Sequence, residues 1–382
     1  MKLSVLGGLG VADFLRAHWQ KRPLLVRQAL PGFGGLLSPR ELMRLATREE
    51  VESRLVIRDG RRWHVESGPF AARRLSRLPS RQWTLLVHGL DLHLPAAHEL
   101  MMRFSFVPLA RLDDVMVSYA APGGGVGPHF DSYDVFLLQG PGRRRWRISA
   151  QTDLSLVENA PLKVLKRFRS EQTWVLEPGD LLYLPPRYAH EGTALEECMT
   201  YSIGFRAPSH TELATQFLVY LQDRIHMPGM YADPDLRPQP RPARIPAAMV
   251  RQFARVLDGI RWGPREVEDF AGVYLSEPKP TVVFSPPARP LGRKAFARQA
   301  AHRGVVLDIK TRMLWGRRAV YINGEAVPLE RAPRQQLARL GDRRRLPPGT
   351  RLDPVTLDVL YQWYRAGYLD LGAPKSAPSP PK

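Results

Sequence analysis

The run Gly-Gly-Gly-Val-Gly-Pro-His-Phe-Asp-Ser-Tyr-Asp, residues 123–134, holds the side chains most able to do chemistry. On an extended chain, residues two apart point the same way, so His129 and Asp131 project together and Tyr133 follows on that side. Two ligands do not close a metal site, and the third must come from elsewhere. His190 is the candidate, at the end of Glu-Pro-Gly-Asp-Leu-Leu-Tyr-Leu-Pro-Pro-Arg-Tyr-Ala-His, residues 177–190. His-x-Asp with a distant His is the two-histidine, one-carboxylate set, which takes one face of octahedral iron(II) and leaves three positions open. A lone His-x-Asp is weak, because an exposed pair usually marks only a solvated strand end. The second half strengthens it, and the competing reading is a core histidine bonded to a backbone carbonyl.

Arg144 is the next clue. In the strand expected over Arg143–Ser149, positions 144, 146 and 148 read Arg, Trp, Ile, whereas 143, 145 and 147 are all Arg, so the even face is the buried one. A buried guanidinium needs an anion. Its fork suits a carboxylate, and a dicarboxylic cosubstrate could chelate the metal at one end and reach Arg144 with the other. A salt bridge to an internal Asp or Glu is the alternative. Upstream, in the strand expected over Asp113–Ala121, Asp114, Met116, Ser118 and Ala120 share one face. If that face looks into the site, Asp114 could pair with a substrate guanidinium while Met116 and Tyr133 pack its stem and plane. Otherwise Asp114 is a turn or strand-end residue.

The segments Pro122–Arg147, Glu177–Gly192 and Tyr201-Ser-Ile-Gly-Phe-Arg-Ala-Pro208 resemble the bacterial ribosomal oxygenases of the JmjC class. The resemblance is dense over residues 1–232 and looser beyond. It implies a cupin-like, double-stranded β-helix (jelly roll) that uses Fe(II), 2-oxoglutarate as cosubstrate and O2. It implies His129, Asp131 and His190 as metal and catalytic residues, Arg144 on the distal carboxylate, and a large-subunit ribosomal protein as substrate. The family members most like it hydroxylate the β-carbon of an arginine in the L-sixteen protein, and related oxygenases modify histidine. Family members often carry a serine where this chain has Ala120, which removes one cosubstrate contact that Ser118, Thr200 or Ser202 could replace.

Composition sets the bounds. The 382 residues include 36 prolines, enough chain for two or three domains. The N-terminus lacks a signal-like apolar stretch and no run reaches a membrane-spanning length, so a cytoplasmic protein without membrane contact is expected. One cysteine, Cys198, excludes an internal disulfide and a cysteine metal cluster. The formal charge of +19 raises nucleic acid as a partner, yet the arginines are spread along the chain, and the densest runs, Arg143–Arg145 and Arg343–Arg345, sit beside turns. Contact with ribosomal RNA stays open, as does a nucleic-acid-binding regulator whose cupin domain senses a ligand. The glycines before His129 are not a phosphate loop, since no Gly-Lys-Ser/Thr follows.

The elements that must position these residues can also be read. Helical spacing covers 11–20, and Ser38-Pro39 opens a second helix. Strands are expected over 21–27, 53–59, 61–66 and 83–88, with Asp59-Gly60 as a hairpin turn. His88, His93 and His98, five apart, match neither periodicity and read as structural or exposed. The strand 198–205 places Thr200 and Ser202 on a small polar face. After Pro208 the pattern turns helical: Ser209-x-x-Glu212 reads as a capping box, and three amphipathic stripes follow to residue 276. These resemble a homodimerisation module, with a bundle packed on the barrel as the alternative. Residues 277–372 mix short strands and helices, with an Asn323-Gly324 turn, and resemble a winged-helix domain. The reading is therefore a mixed α+β chain: a JmjC/cupin domain (1–208), a helical dimerisation segment (209–276), a winged-helix-like domain (277–372) and a disordered tail (373–382).

Overall fold

The computed structural model describes residues 3–60 and 62–372, so the expected tail lies outside the described residues. The first region carries strands β1 (Leu24–Val26), β2 (Ser53–Asp59), β3 (Arg62–Ser67), β4 (Trp83–Val87), β5 (Leu112–Ala120), β6 (Val135–Gln139), β7 (Arg144–Ser149), β8 (Gln172–Leu176), β9 (Leu181–Leu184), β10 (Ala189–Ala194) and β11 (Cys198–Phe205). Helices α1 (Val11–Ala17), α2 (Pro39–Leu45), α3 (Ala72–Leu75) and α4 (Pro95–Met102) lie among them. Ser38 caps α2 in a reciprocal box with Glu41.

Two antiparallel sheets face each other. The larger runs β1-β9-β6-β11-β5-β4-β2-β3 and the smaller β10-β7-β8. Alternation explains why each strand lies as it does. Val115, Val117 and Tyr119 of β5 and Met199, Tyr201 and Ile203 of β11 turn outward into a large core shared with the N-terminal helices. A second core closes the space between the sheets, built from Val135, Leu137, Leu182 and Leu184 on one side and Trp146, Ile148 and Leu176 on the other. The in-between residues of β5 and β11, Asp114, Met116, Ser118, Thr200 and Ser202, therefore look into the barrel. In β7, Arg144, Trp146 and Ile148 are buried and Arg145 is exposed, as the alternation predicts.

The regular strand expected around His129 is absent. Residues 129–134 form an irregular approach to β6, and His129 meets β10 only in an isolated bridge to His190. The cause lies in Asp134, which is fully buried and takes bonds from the Tyr183 hydroxyl (2.7 Å), Gln20 (2.9 Å) and Arg111 (3.3 Å), drawing the chain off the sheet line.

Beyond the barrel come α5 (His210–Gln222), α6 (Ala247–Leu257) and α7 (Pro264–Ser276). The Ser209 hydroxyl caps α5 through the Glu212 N–H at 3.0 Å, but the reciprocal half of the box is missing because Glu212 accepts from the Tyr274 hydroxyl instead. The C-terminal region holds α8 (Arg293–Arg303), β12 (Val305–Leu307), β13 (Met313–Trp315), β14 (Ala319–Ile322), β15 (Glu325–Pro328), α9 (Arg331–Arg343), β16 (Arg345–Leu346), α10 (Pro354–Ala366) and β17 (Leu369–Leu371) around its own apolar core. Helix α7 packs on this region: the Tyr321 hydroxyl of β14 donates to Asp269 at 2.6 Å. No helix of the described residues is long and apolar enough to cross a membrane.

Candidate active site

The three expected ligands converge. One donor atom each from His129, Asp131 and His190 lies within 4.8 Å of the others. Two backbone bonds between His129 and His190, at 2.9 and 2.8 Å, hold the histidines side by side, with ring centroids 4.2 Å apart and the rings tilted by 58°. The Arg187 N–H holds the carbonyl of Asp131 at 2.7 Å. The tautomers follow from simple chemistry. His129 Nδ1 lies 2.9 Å from the Gly127 carbonyl and His190 Nδ1 lies 2.8 Å from the Tyr188 carbonyl. A carbonyl only accepts, so each Nδ1 carries the proton and each Nε2 keeps a free lone pair. Nε2 of His190 sits 3.6 Å from the Asp131 carboxylate. Burial, followed by the neighbouring His129 imidazole, pushes the His190 pKa below its ordinary value, which favours the neutral, metal-ligating form. The carbonyl bond of the competing reading is thus present at both histidines, and it leaves Nε2 of each free to bind a metal.

A group of buried polar side chains lies between the sheets. Arg144 is 4% exposed, and Nη1 donates to the Ser118 hydroxyl at 2.9 Å. Its Nε and Nη2 are buried with no partner, as is Nε1 of Trp146. Among the described residues no Asp or Glu pairs with Arg144, so the alternative of an internal salt bridge does not hold. Trp146 spans the gap, 5.8 Å from the Arg144 guanidinium and 5.9 Å from the His190 ring. It lies flat because Gly192 faces it on β10, where a Cβ would sit 2.8 Å from the indole. Ala120, Ala194 and Cys198 form a small apolar cluster, so no hydroxyl replaces the absent serine at position 120 itself. Ser118 stands one pleat away, and the Thr200 hydroxyl is taken by Gln139 at 3.1 Å. Three buried donors, Arg144 Nε and Nη2 and Trp146 Nε1, are thus left for an acceptor from outside the described residues.

At the far end of the same β5 face, Asp114 is buried and Met116 half-buried. Asp114 is the third residue of β5, not a turn residue. Its Oδ2 is already engaged, by the Gly89 N–H at 3.1 Å and Lys279 Nζ at 3.2 Å, with His88 Nδ1 at 3.8 Å. Burial would raise its pKa, but His88 and Lys279 together hold it below the ordinary value. Tyr133 is 41% exposed and lines a cavity of about 240 Å³ with Asp113, Arg206, Glu212 and Tyr274. Burial and then the charge of Asp131 raise the pKa of its hydroxyl, with Asp114 and Asp113 adding to it. Lys279 was not singled out from the sequence, and His88, read there as structural or exposed, is half-buried beside Asp114. Lys279 lies in a proline-rich connector, Glu-Pro-Lys-Pro, whose composition gives no sign of a buried charge.

Comparison with known proteins agrees with this geometry. Residues 99–213 match a family model described as a JmjC domain, and residues 259–370 match a ROXA-like winged helix. The chain is 40% identical over 283 residues to the ribosomal protein uL16 3-hydroxylase of Escherichia coli (strain K12), covering 73% of this chain and 74% of that protein. It is 39% identical over 228 residues to a probable ribosomal oxygenase of Haemophilus influenzae, covering 58% and 54%. The solved structure of YcfD, a ribosomal oxygenase from Escherichia coli in complex with cobalt and 2-oxoglutarate, superposes with a TM-score of 0.80 at 34% identity, covering 96% of this chain and 99% of that one.

Proposed function

The chain belongs to the bacterial JmjC-class ribosomal oxygenase family, and from that premise we propose that it hydroxylates an arginine of ribosomal protein uL16, the L-sixteen protein, at the β-carbon. The observation that carries the reading is a two-histidine, one-carboxylate triad beside a buried guanidinium with no acid of its own. His129, Asp131 and His190 would hold iron(II), and Arg144 with Ser118 would take the distal carboxylate of 2-oxoglutarate. When bound, the iron and cosubstrate, with dioxygen, supply the oxidising power for attack on an unactivated C–H bond.

The remaining work is positional. The two Nδ1–carbonyl bonds fix the orientation of both imidazoles, so that their Nε2 atoms would be the ones to hold the iron. Trp146, Ile148, Leu137 and Leu184 exclude water from the space between the sheets. Asp114, Met116 and Tyr133 receive the substrate side chain: the open oxygen of Asp114 takes the cation, and the thioether and ring pack its stem.

Fragment mass analysis of uL16 from cells with and without the protein tests the substrate. The expected result is one added oxygen atom on an arginine, present only with the protein. An oxygen on a histidine of another ribosomal protein would instead support the alternative of histidine hydroxylation. His129→Ala is expected to abolish 2-oxoglutarate turnover with the melting transition retained; turnover that survives would refute the metal assignment.

The assembly we infer is a cytoplasmic homodimer. Helix α6 has no buried residue, and Val250, Phe253, Val256 and Leu257 are all exposed on it. Contact with ribosomal RNA is supported by the exposed Arg317, Arg318, Arg331, Arg339 and Arg343 of the C-terminal region. Salt-dependent binding to duplex RNA without 2-oxoglutarate turnover would favour the nucleic-acid-binding regulator instead.

A further inference from the structure

Asp113 and Asp114 open the barrel-lining strand β5, and the cations that meet them come from outside the barrel. Lys279 belongs to the connector between α7 and α8, and Arg312 to the loop between β12 and β13. Lys279 Nζ lies 3.2 Å from Asp114 Oδ2 and 3.8 Å from Asp113 Oδ1. Arg312 Nη2 donates to the Asp113 carbonyl at 2.7 Å and stands 3.8 Å from its carboxylate. The connector is held at both ends of the stretch around Lys279: the Gly324 N–H donates to the hydroxyl of Ser276, the last residue of α7, at 3.2 Å, and Lys310 donates to the Val283 carbonyl at 2.9 Å. Lys279 is therefore a fixed group rather than a surface charge that happens to be near. Lys279 and Arg312 thus face Asp113 and Asp114 across the seam, with the buried carboxyl of Asp91 near the same cations.

The contacts on Asp114 are one-sided. Oδ2 takes the Gly89 N–H and Lys279, whereas Oδ1 accepts no hydrogen bond among the described residues. Oδ1 lies beside Gly204 of β11, 3.6 Å from where a Cβ would stand, so the missing side chain there leaves it room on the barrel side. We propose that Lys279, seconded by Arg312, is a positioning residue for the protein substrate: it locks one carboxylate oxygen of Asp114 so that the other is presented to the cationic side chain entering the barrel. The C-terminal domain then forms part of the substrate pocket by holding its acid from behind. This rests on the reading that Asp114 receives the substrate cation. A carboxylate free to rotate would spend part of its time turned away, and its affinity for the guanidinium would fall accordingly.

The test uses the full-length protein and an arginine-containing peptide, with Kd from fluorescence anisotropy and KM for both peptide and 2-oxoglutarate. Lys279→Met keeps the length of the side chain without its charge, and Lys279→Arg keeps the charge. For Lys279→Met, peptide Kd and KM are expected to rise about tenfold, the scale of one hydrogen bond to a charged group. KM for 2-oxoglutarate, read by Arg144 of β7 and its partner Ser118, is expected to stay put, and Lys279→Arg to recover most of the loss. A merely structural lysine would move both KM values and the melting temperature together, and that result overturns the proposal. A lower peptide Kd in Lys279→Met also overturns it, because Lys279 would then compete with the substrate. Asp114→Asn separates the two layers. If it leaves peptide binding unchanged, the reading of Asp114 itself fails; if it weakens binding while Lys279→Met does not, only the positioning role fails.

Discussion

Arg144 has five N–H groups, and the structure gives a partner to one nitrogen only, Nη1 through Ser118. An uncompensated buried cation destabilises the protein until an anion arrives. Arg144→Met is therefore expected to melt no lower than the parent without cosubstrate, to lose the melting increment that 2-oxoglutarate gives the parent, and to raise KM for 2-oxoglutarate about a hundredfold, the scale of a lost bidentate ion pair. A melting increment equal to the parent's would place the cosubstrate elsewhere. This residue was legible in the sequence because a strand alternates: Arg-Trp-Ile against Arg-Arg-Arg leaves little doubt about which face is inside. His129, Asp131 and His190 were legible for a different reason, since few ligand sets have that composition. Lys279 was not, because its burial depends on where a proline-rich connector passes, and nothing local to Pro-Lys-Pro fixes that path.

At the scale of elements, β7 and β10 must approach closely enough for Trp146 to lie between Arg144 and His190, and Gly192 permits it. Adding one methyl there drives a Cβ into the indole, so Gly192→Ala is expected to cost roughly 1–3 kcal/mol of stability in denaturant titration. The strand pairing could be anticipated from turn residues and alternation. The irregular stretch 129–134 could not, because it follows from the distant partners of Asp134. Helix α4 carries a second consequence. His98 is buried with neither ring nitrogen bonded, and burial, then the Arg344 guanidinium, push its pKa down to about 3. The folded protein thus keeps it neutral while the unfolded chain protonates it near its ordinary 6.5. The stability held by the neutral form is complete above pH 6.5 and is lost progressively as pH falls toward 3, amounting to about 2 kcal/mol by pH 5. His98→Phe is expected to flatten that part of the stability–pH curve; an unchanged slope between pH 7 and pH 5 would show that His98 does not set it.

For the whole molecule, the passage from strands to helices after Pro208 and the hairpin at Asn323-Gly324 were readable from periodicity and turn residues. The partners of the three amphipathic stripes were not, because a stripe states that a face is covered without stating by what. Helix α7 resolves part of this by packing on β14 through Asp269 and Tyr321. Helix α6 resolves none of it: Phe253 is 51% exposed and Val256 50%, and a neighbouring groove of about 530 Å³ is lined by Leu218, Leu221, Ile225, Leu257, Ile260 and Trp262. Apolar faces on two helices and a groove between them match what a symmetric pair of chains buries, and a stable pair needs about 1,000 Å² or more of such surface. Light scattering at micromolar concentration is expected to give twice the chain mass for the parent and one chain mass for Phe253→Asp combined with Val256→Asp. Because these residues lie on solvent and far along the chain from the triad, the separated monomer is expected to keep its melting transition. A parent chain that scatters as a monomer would leave α6 as a face for some other protein, and the double substitution would then change no mass at all.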